Sequence, residues 1–161
     1  MKRRTLFICR AGIIAAMYIC LNLLSSALGL SYSAVQFRIP EMLTILPIFL
    51  PEAIPGLAVG CFIANLGSPL GLADLITGTI ATLVSAILTR ILSKFTIKNF
   101  PIFSFLPQIF INALAVGAEI AILTGVGFAI SALSVALGEA VVVFAGGIPL
   151  YILTKKTRIF R

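Results

Sequence analysis

The chain has 161 residues, 60% of them hydrophobic and only 11% charged, with a formal net charge of +7 and a mean hydropathy of +1.17. Globular proteins average about 45–50% apolar residues, so most of this chain belongs in lipid, as one membrane domain. The basic excess does not imply nucleic acid, because the Lys and Arg residues lie mostly at segment ends and no basic face joins an aromatic platform.

Lys2-Arg3-Arg4 precedes an apolar run from Leu6 to Leu30. That run is too long for a signal-peptide core of about 7–15 residues and suits a retained span of roughly 20. The first helix is expected over 5–29, with Arg10 near enough to its start to snorkel. The polar loop Ser31-Tyr32-Ser33 follows.

The stretch from Gln36 to Gly67 is apolar yet interrupted by Pro47, Pro51 and Pro55. Proline lacks a backbone donor and clashes with the preceding turn, so all three should break or kink a helix. Two short helices are expected, over 38–49 and 52–66. An opened backbone survives in lipid only when buried in protein or lining a cavity. The stretch should therefore form an irregular wall against which spanning helices build a pocket. Longer spans follow over 72–93, 102–124 and 128–153, separated by a turn, a basic connector and Gly125–Gly127.

The charges test this count. The clusters Lys2/Arg3/Arg4, Arg90/Lys94/Lys98 and Lys155/Lys156/Arg158/Arg161 all face the cytoplasm only if the broken stretch enters and returns. The expected architecture is an all-α integral membrane bundle of six helices, the second and third short and Pro-interrupted. Both termini are then cytoplasmic, in the cell membrane.

Several polar residues fall at membrane depth. Glu119 and Glu139 lie within spans, where a carboxylate faces the bundle interior and marks function or a buried ion pair, for instance with Arg38. Asn112 and Glu119, seven apart, share a helix face. Arg38 and Glu41 are three apart, as in a local ion pair. Asp74 suits a helix N-terminus, and Glu52 begins the second short helix. Asn65 lies in the outer half with most of these groups. Phe37, Tyr32 and Tyr18 can stack on a flat ligand or simply anchor and pack. Ala11 and Ala15 put small residues at i and i+4 on the first helix, which suits close helix approach, inside the bundle or with a partner.

Other chemistry is excluded or unsupported. There is no histidine. Cys9, Cys20 and Cys61 are widely spaced and serve as packing groups rather than as a zinc site or disulfide frame. No phosphate-binding GxxxxGK[ST], GxSxG or HExxH motif occurs. Neither a cofactor nor enzymatic activity is expected.

Gln36-Phe-Arg-Ile-Pro-Glu41, Pro51-Glu-Ala-Ile-Pro-Gly56, Gly60-Cys-Phe-Ile-Ala-Asn65 and Gly138-Glu139 resemble the QueT family of queuosine-precursor transporters, over nearly the whole chain from Arg10 to Lys156. The resemblance implies a substrate-binding S component of an energy-coupling factor importer. Such a component binds a vitamin-like ligand outside, docks on a transmembrane T component bearing two ATPase subunits, and topples to release the ligand inside. It also implies that Ala11 and Ala15 match the small-residue face that meets the T component.

The implied ligand is queuine or another 7-deazaguanine. One carboxylate can accept both donors of a guanine-like edge, an amide can pair with the carbonyl edge, and an aminomethyl cation would take a second carboxylate. Glu139 or Glu119 suits the first role, Asn112 or Asn65 the second, and Glu41 or Asp74 the third. Arg38 and Phe37 complete the expected site. The alternatives are an S component for another vitamin, a standalone ion-coupled carrier using Glu119 and Glu139, and a membrane enzyme.

Overall fold

The computed structural model describes residues 2–30 and 36–157. Tyr32, Arg158 and Arg161 lie outside these residues, as does the whole polar loop Ser31-Tyr32-Ser33. Helix α1 runs Lys2–Ala27. A 3-10 helix, Ile39–Ile48, follows, then α2 (Ala53–Asn65) and α3 (Leu72–Leu92). A short 3-10 turn leads into α4 (Leu106–Thr124). The last stretch is continuous from α5 (Phe128–Val142) through a π-helical turn at Val143–Gly147 into α6 (Ile148–Thr157). Residues 3–27, 72–92, 102–124 and 128–157 are each long and apolar enough to cross a membrane. The six expected segments are all present.

The first short segment is the centre of the bundle. Its buried run includes Pro40, Glu41, Leu43, Thr44, Ile45, Leu46 and Pro47. A ten-residue 3-10 helix is unusual, since runs beyond about 3–4 residues are uncommon. Pro40 at its start and Pro47 inside it remove two backbone donors. At about 2.0 Å rise per residue it spans roughly 20 Å, as does α2 at about 1.5 Å, so neither alone matches a hydrocarbon core of about 30 Å. Leu43, Leu46 and Leu50 pack with Ile14 and Tyr18 of α1 and Leu57 and Cys61 of α2. On the other side Ile45 packs with Phe105, Val143 and Tyr151.

One of the three expected breaks does not occur, and a further proline is accommodated by a π turn. Pro55 does not break its helix: it sits in the first turn of α2, where backbone donors have no intrahelical partner and proline is tolerated. Pro149 lies inside the last helix, just after the π turn. That turn re-spaces the hydrogen-bond ladder where a proline would otherwise disrupt it.

Helices α1 and α2 approach closely because glycine faces alanine. A Cβ placed on Gly56 would lie 2.7 Å from the Ala11 carbonyl oxygen, and one on Gly60 would lie 3.0 Å from that of Ala15 and 2.8 Å from Tyr18 Cβ. Ala15 is buried and Ala11 half-buried. The small residues that point outward on α1 are Gly12 and Ala16. Cys61 is a packing group as expected, whereas Cys9 and Cys20 are exposed on α1.

The two ends of the bundle differ. At one end Arg10 pairs with Glu52 at 3.2 Å, Arg90 donates to the Pro47 carbonyl at 2.8 Å, and Lys155 donates to the Asn99 carbonyl at 3.1 Å. These contacts gather the described basic segments at a single end. The other end carries Gln36, the turn after α2 and the α4–α5 turn. There α4 closes on Gly125 with φ +74°, a left-handed conformation that glycine adopts without steric cost.

Candidate functional site

All five acidic residues of the chain are buried: Glu41, Glu52, Asp74, Glu119 and Glu139. Glu52 is held at the basic end by Arg10. The other four lie deeper or toward the opposite end, around the one buried cation among the described residues.

That cation is Arg38, the residue just before the 3-10 helix. Only 7% of Arg38 is exposed. Its guanidinium donates to Asn65 Oδ1 at 2.7 Å and lies 3.5 Å from Asp74 Oδ1 and 3.9 Å from Glu41 Oε1. Asn65 in turn donates to the Asp74 backbone carbonyl at 3.0 Å. Gly78 leaves room for this cluster: a Cβ there would sit 2.6 Å from Asn65 Nδ2 and 3.0 Å from Asp74 Oδ1. Arg38 thus ties the start of the 3-10 helix to α2 and α3. Neither Glu119 nor Glu139 pairs with it.

Glu41 joins this cluster to the rest. Tyr18 donates its hydroxyl to Glu41 Oε1 at 2.5 Å, and Gln108 donates to Glu41 Oε2 at 2.6 Å. Tyr18 is fully buried, so it serves the network and is not an open stacking platform. Glu139 Oε1 accepts from Asn112 Nδ2 at 2.9 Å. One polar chain therefore runs Asp74–Arg38–Glu41–Gln108, and Asn112, one turn further along α4, makes a second link to Glu139. Buried polar groups of this kind are costly unless paired.

Some acceptors in the chain have no protein partner. Glu139 Oε2, Gln108 Oε1, Ser131 Oγ and both Glu119 oxygens are buried without a hydrogen bond. Most buried polar atoms in native proteins are satisfied, so orphans mark places for ligand or water; Ser131 Oγ and Glu139 Oε2 lie on one helix, whereas Glu52 Oε2, Asp74 Oδ1 and Ser104 Oγ are orphaned elsewhere.

An adjoining cavity of about 570 Å³ opens at the end opposite the basic clusters, with Gln36, Leu70, Thr124, Ser131, Ser134 and Val135 among its walls. Ser131, Val135 and Glu139 recur every four residues on α5, which places them on one face. Glu139 thus lies about 6 Å of helix rise below the wall residue Val135. The Gln36 backbone rests directly on Gly138, so the chain entering the 3-10 helix forms part of the roof.

The remaining candidates lie apart. Glu119 does not line this cavity. It lines a separate recess of about 320 Å³ between α3 and α4, beside Ala73, Thr77, Ala115 and Ala118. Phe37 is half-buried; its backbone carbonyl accepts from Ser25 at 2.7 Å, and it is not among the described cavity walls. Ala11 and Ala15 face α2, as described above. Sequence reasoning missed Gln108 and Ser131. Gln108 sits one helical turn before Asn112 on α4, a spacing that was legible. Ser131 carries no such signal.

The chain was compared with known proteins. The family model described as QueT transporter matches residues 8–156. A queuosine precursor transporter QueT from Lactococcus lactis subsp. cremoris (strain MG1363) is 35% identical over 83 residues, covering 52% of this chain and 48% of the relative. The match thus spans about half the length of that relative. No solved structure matches significantly. With four helices of spanning length and a family match over nearly its full length, the chain is a multi-pass membrane protein and belongs to the QueT transporter family.

Proposed function

We propose that this chain is the substrate-binding S component of an energy-coupling factor importer for a queuosine precursor, a 7-deazaguanine. The family match and the name of the Lactococcus relative support the ligand class. The observation that carries the reading is the buried pair of free acceptors, Glu139 Oε2 and Gln108 Oε1, beneath a cavity large enough for a fused-ring base. A guanine-like edge offers N1–H and an exocyclic amine, and a carboxylate can accept both. Asn112 and Gln108 supply amide groups beside it. Glu41 and Asp74 leave the neighbouring cluster richer in carboxylates than in cations, which suits a cationic aminomethyl substituent.

By the positive-inside rule the basic end is cytoplasmic, so the cavity opens outward and both termini lie on the cytoplasmic side of the cell membrane. The chain carries no ATP-binding motif of its own, and separate ATPase subunits on a T component would drive uptake. Docking uses α1, where Gly12 and Ala16 leave the outward backbone accessible to a partner helix.

The competing class is a standalone ion-coupled carrier, which the two unpartnered oxygens of Glu119 would serve. Affinity purification from native membranes separates the two readings. The S-component reading expects two ATPases and a T component to co-purify, and a panel of deazapurines and vitamins to yield binding only for 7-deazaguanines. Uptake by the purified chain alone, driven by an ion gradient, would contradict it.

A further inference from the structure

At the basic end an apolar groove of about 200 Å³ runs between α1 and the last helix, floored by the 3-10 helix, with Ile13, Met17, Leu46 and Leu150 in its walls and Arg10 and Thr154 also lining it. It lies on a third side of α1. At about 100° per residue, Arg10, Ile13 and Met17 fall away from both the Ala11–Ala15 face that meets α2 and the exposed Gly12–Ala16 face.

The charges around the groove have one sign. Arg10 engages Glu52 through a single contact at 3.2 Å, and 28% of its side chain remains exposed; a guanidinium carries five donors, so others stay available. Arg3 lies seven positions earlier, on the same helix face, and is exposed. Lys156 is exposed in the last turn of α6. Glu52 is the only acidic residue at this end. It is buried and already paired.

We propose that this groove seats an anionic phospholipid of the leaflet at the basic end. One acyl chain lies along Ile13, Met17, Leu46 and Leu150, and the phosphate lies between Arg10 and Arg3. The chain's length runs with the helix: Arg10 to Met17 rises about 10 Å toward the bilayer centre, the direction an acyl chain takes from its headgroup. Charge complementarity selects the occupant. Guanidinium groups bind phosphate oxygens bidentately, and anionic headgroups add attraction to basic juxtamembrane residues. The bound lipid would brace α1 against the last helix at a place where side chains leave a gap.

Native mass spectrometry of the detergent-purified protein, with equimolar phosphatidylglycerol and phosphatidylcholine, tests this. Retained adducts should favour phosphatidylglycerol at least fivefold. The Arg3→Gln variant should reduce that preference and the Arg3→Gln/Arg10→Gln pair should abolish it. Because loss of Arg10 also leaves Glu52 unpaired, a second variant is needed. Leu150→Trp fills the groove without changing charge, and should reduce retention of both lipids at least fivefold. Equal retention of the two lipids by the parent protein, or adducts unchanged in Leu150→Trp, would overturn the proposal. The latter result would leave the groove to a protein partner.

Discussion

The backbone carbonyl of Gln36 occupies the position that a side chain on Gly138 would need. Gln36, a wall residue of the cavity, is thereby seated on the helix that carries Glu139, with nothing between them. Replacement of Gly138 by alanine must lift Gln36. Alanine suits the helix itself better by about 1 kcal/mol, so the protein should still fold. Ligand affinity should fall about tenfold or more, equivalent to about 1.4 kcal/mol. Calorimetry on the purified variant would show it, and parental affinity would detach Gln36 from binding.

The two faces of α1 make opposite predictions. Ala15→Leu would drive a bulky side chain into Gly60, and overpacking of that kind costs about 1–3 kcal/mol. It should lower the thermal midpoint in detergent. Gly12→Leu and Ala16→Leu project outward; they should leave folding and ligand binding intact but weaken T-component capture and uptake. Normal uptake and normal capture in both outward variants would place docking elsewhere.

Arg38→Gln should be the most destabilising polar substitution in the chain. It strips Asp74 and Glu41 of their buried cation, and breaking such a pair on one side costs about 3–5 kcal/mol. A thermal scan of the detergent-solubilised protein reads this directly. An unchanged midpoint would mean that the cluster is not held by charge.

Orientation is tested by cysteine accessibility in a background without native cysteines. A cysteine replacing Lys94 should label only from the cytoplasm, and one replacing Gly67 only from outside. Both positions are exposed. Labelling of position 94 from outside would reverse the proposed direction of uptake.

The plan of the bundle was legible in the chain. Hydropathy gave the long spans, prolines marked the irregular stretch, and the basic clusters required that stretch to enter and return. The conformations were not legible. Whether a ten-residue apolar stretch with Pro40 and Pro47 coils as α or 3-10 depends on what packs around it. The π turn before Pro149 likewise answers to Met42, which lies against Gly146.

The site was half legible. Glu139, Asn112, Glu41, Asp74, Asn65 and Arg38 do gather in one buried region. The spacing of Arg38 and Glu41 suggests only a local pair. The burial of Arg38 follows only from partners on two other helices. Glu119 and Asn112 share a helix face by spacing, yet α3 and α5 pack on different sides of α4, so the two side chains serve different neighbours. The Ala11–Ala15 pattern was real, but spacing does not say which helix it meets, and Gly56 and Gly60 claim it here.

Calorimetry of a 7-deazaguanine binding to the parent protein and to Glu139→Gln tests the central claim most directly. Glutamine is nearly isosteric, so the fold should persist, but it turns one acceptor into a donor facing a ligand donor. In a desolvated site that mispairing should cost about 2–4 kcal/mol, roughly 30- to 1000-fold in affinity. An adenine-like analogue without the N1–H should bind the parent poorly. Parental affinity in Glu139→Gln, with the analogue bound as tightly as the deazaguanine, would contradict the assignment of Glu139 to the ligand.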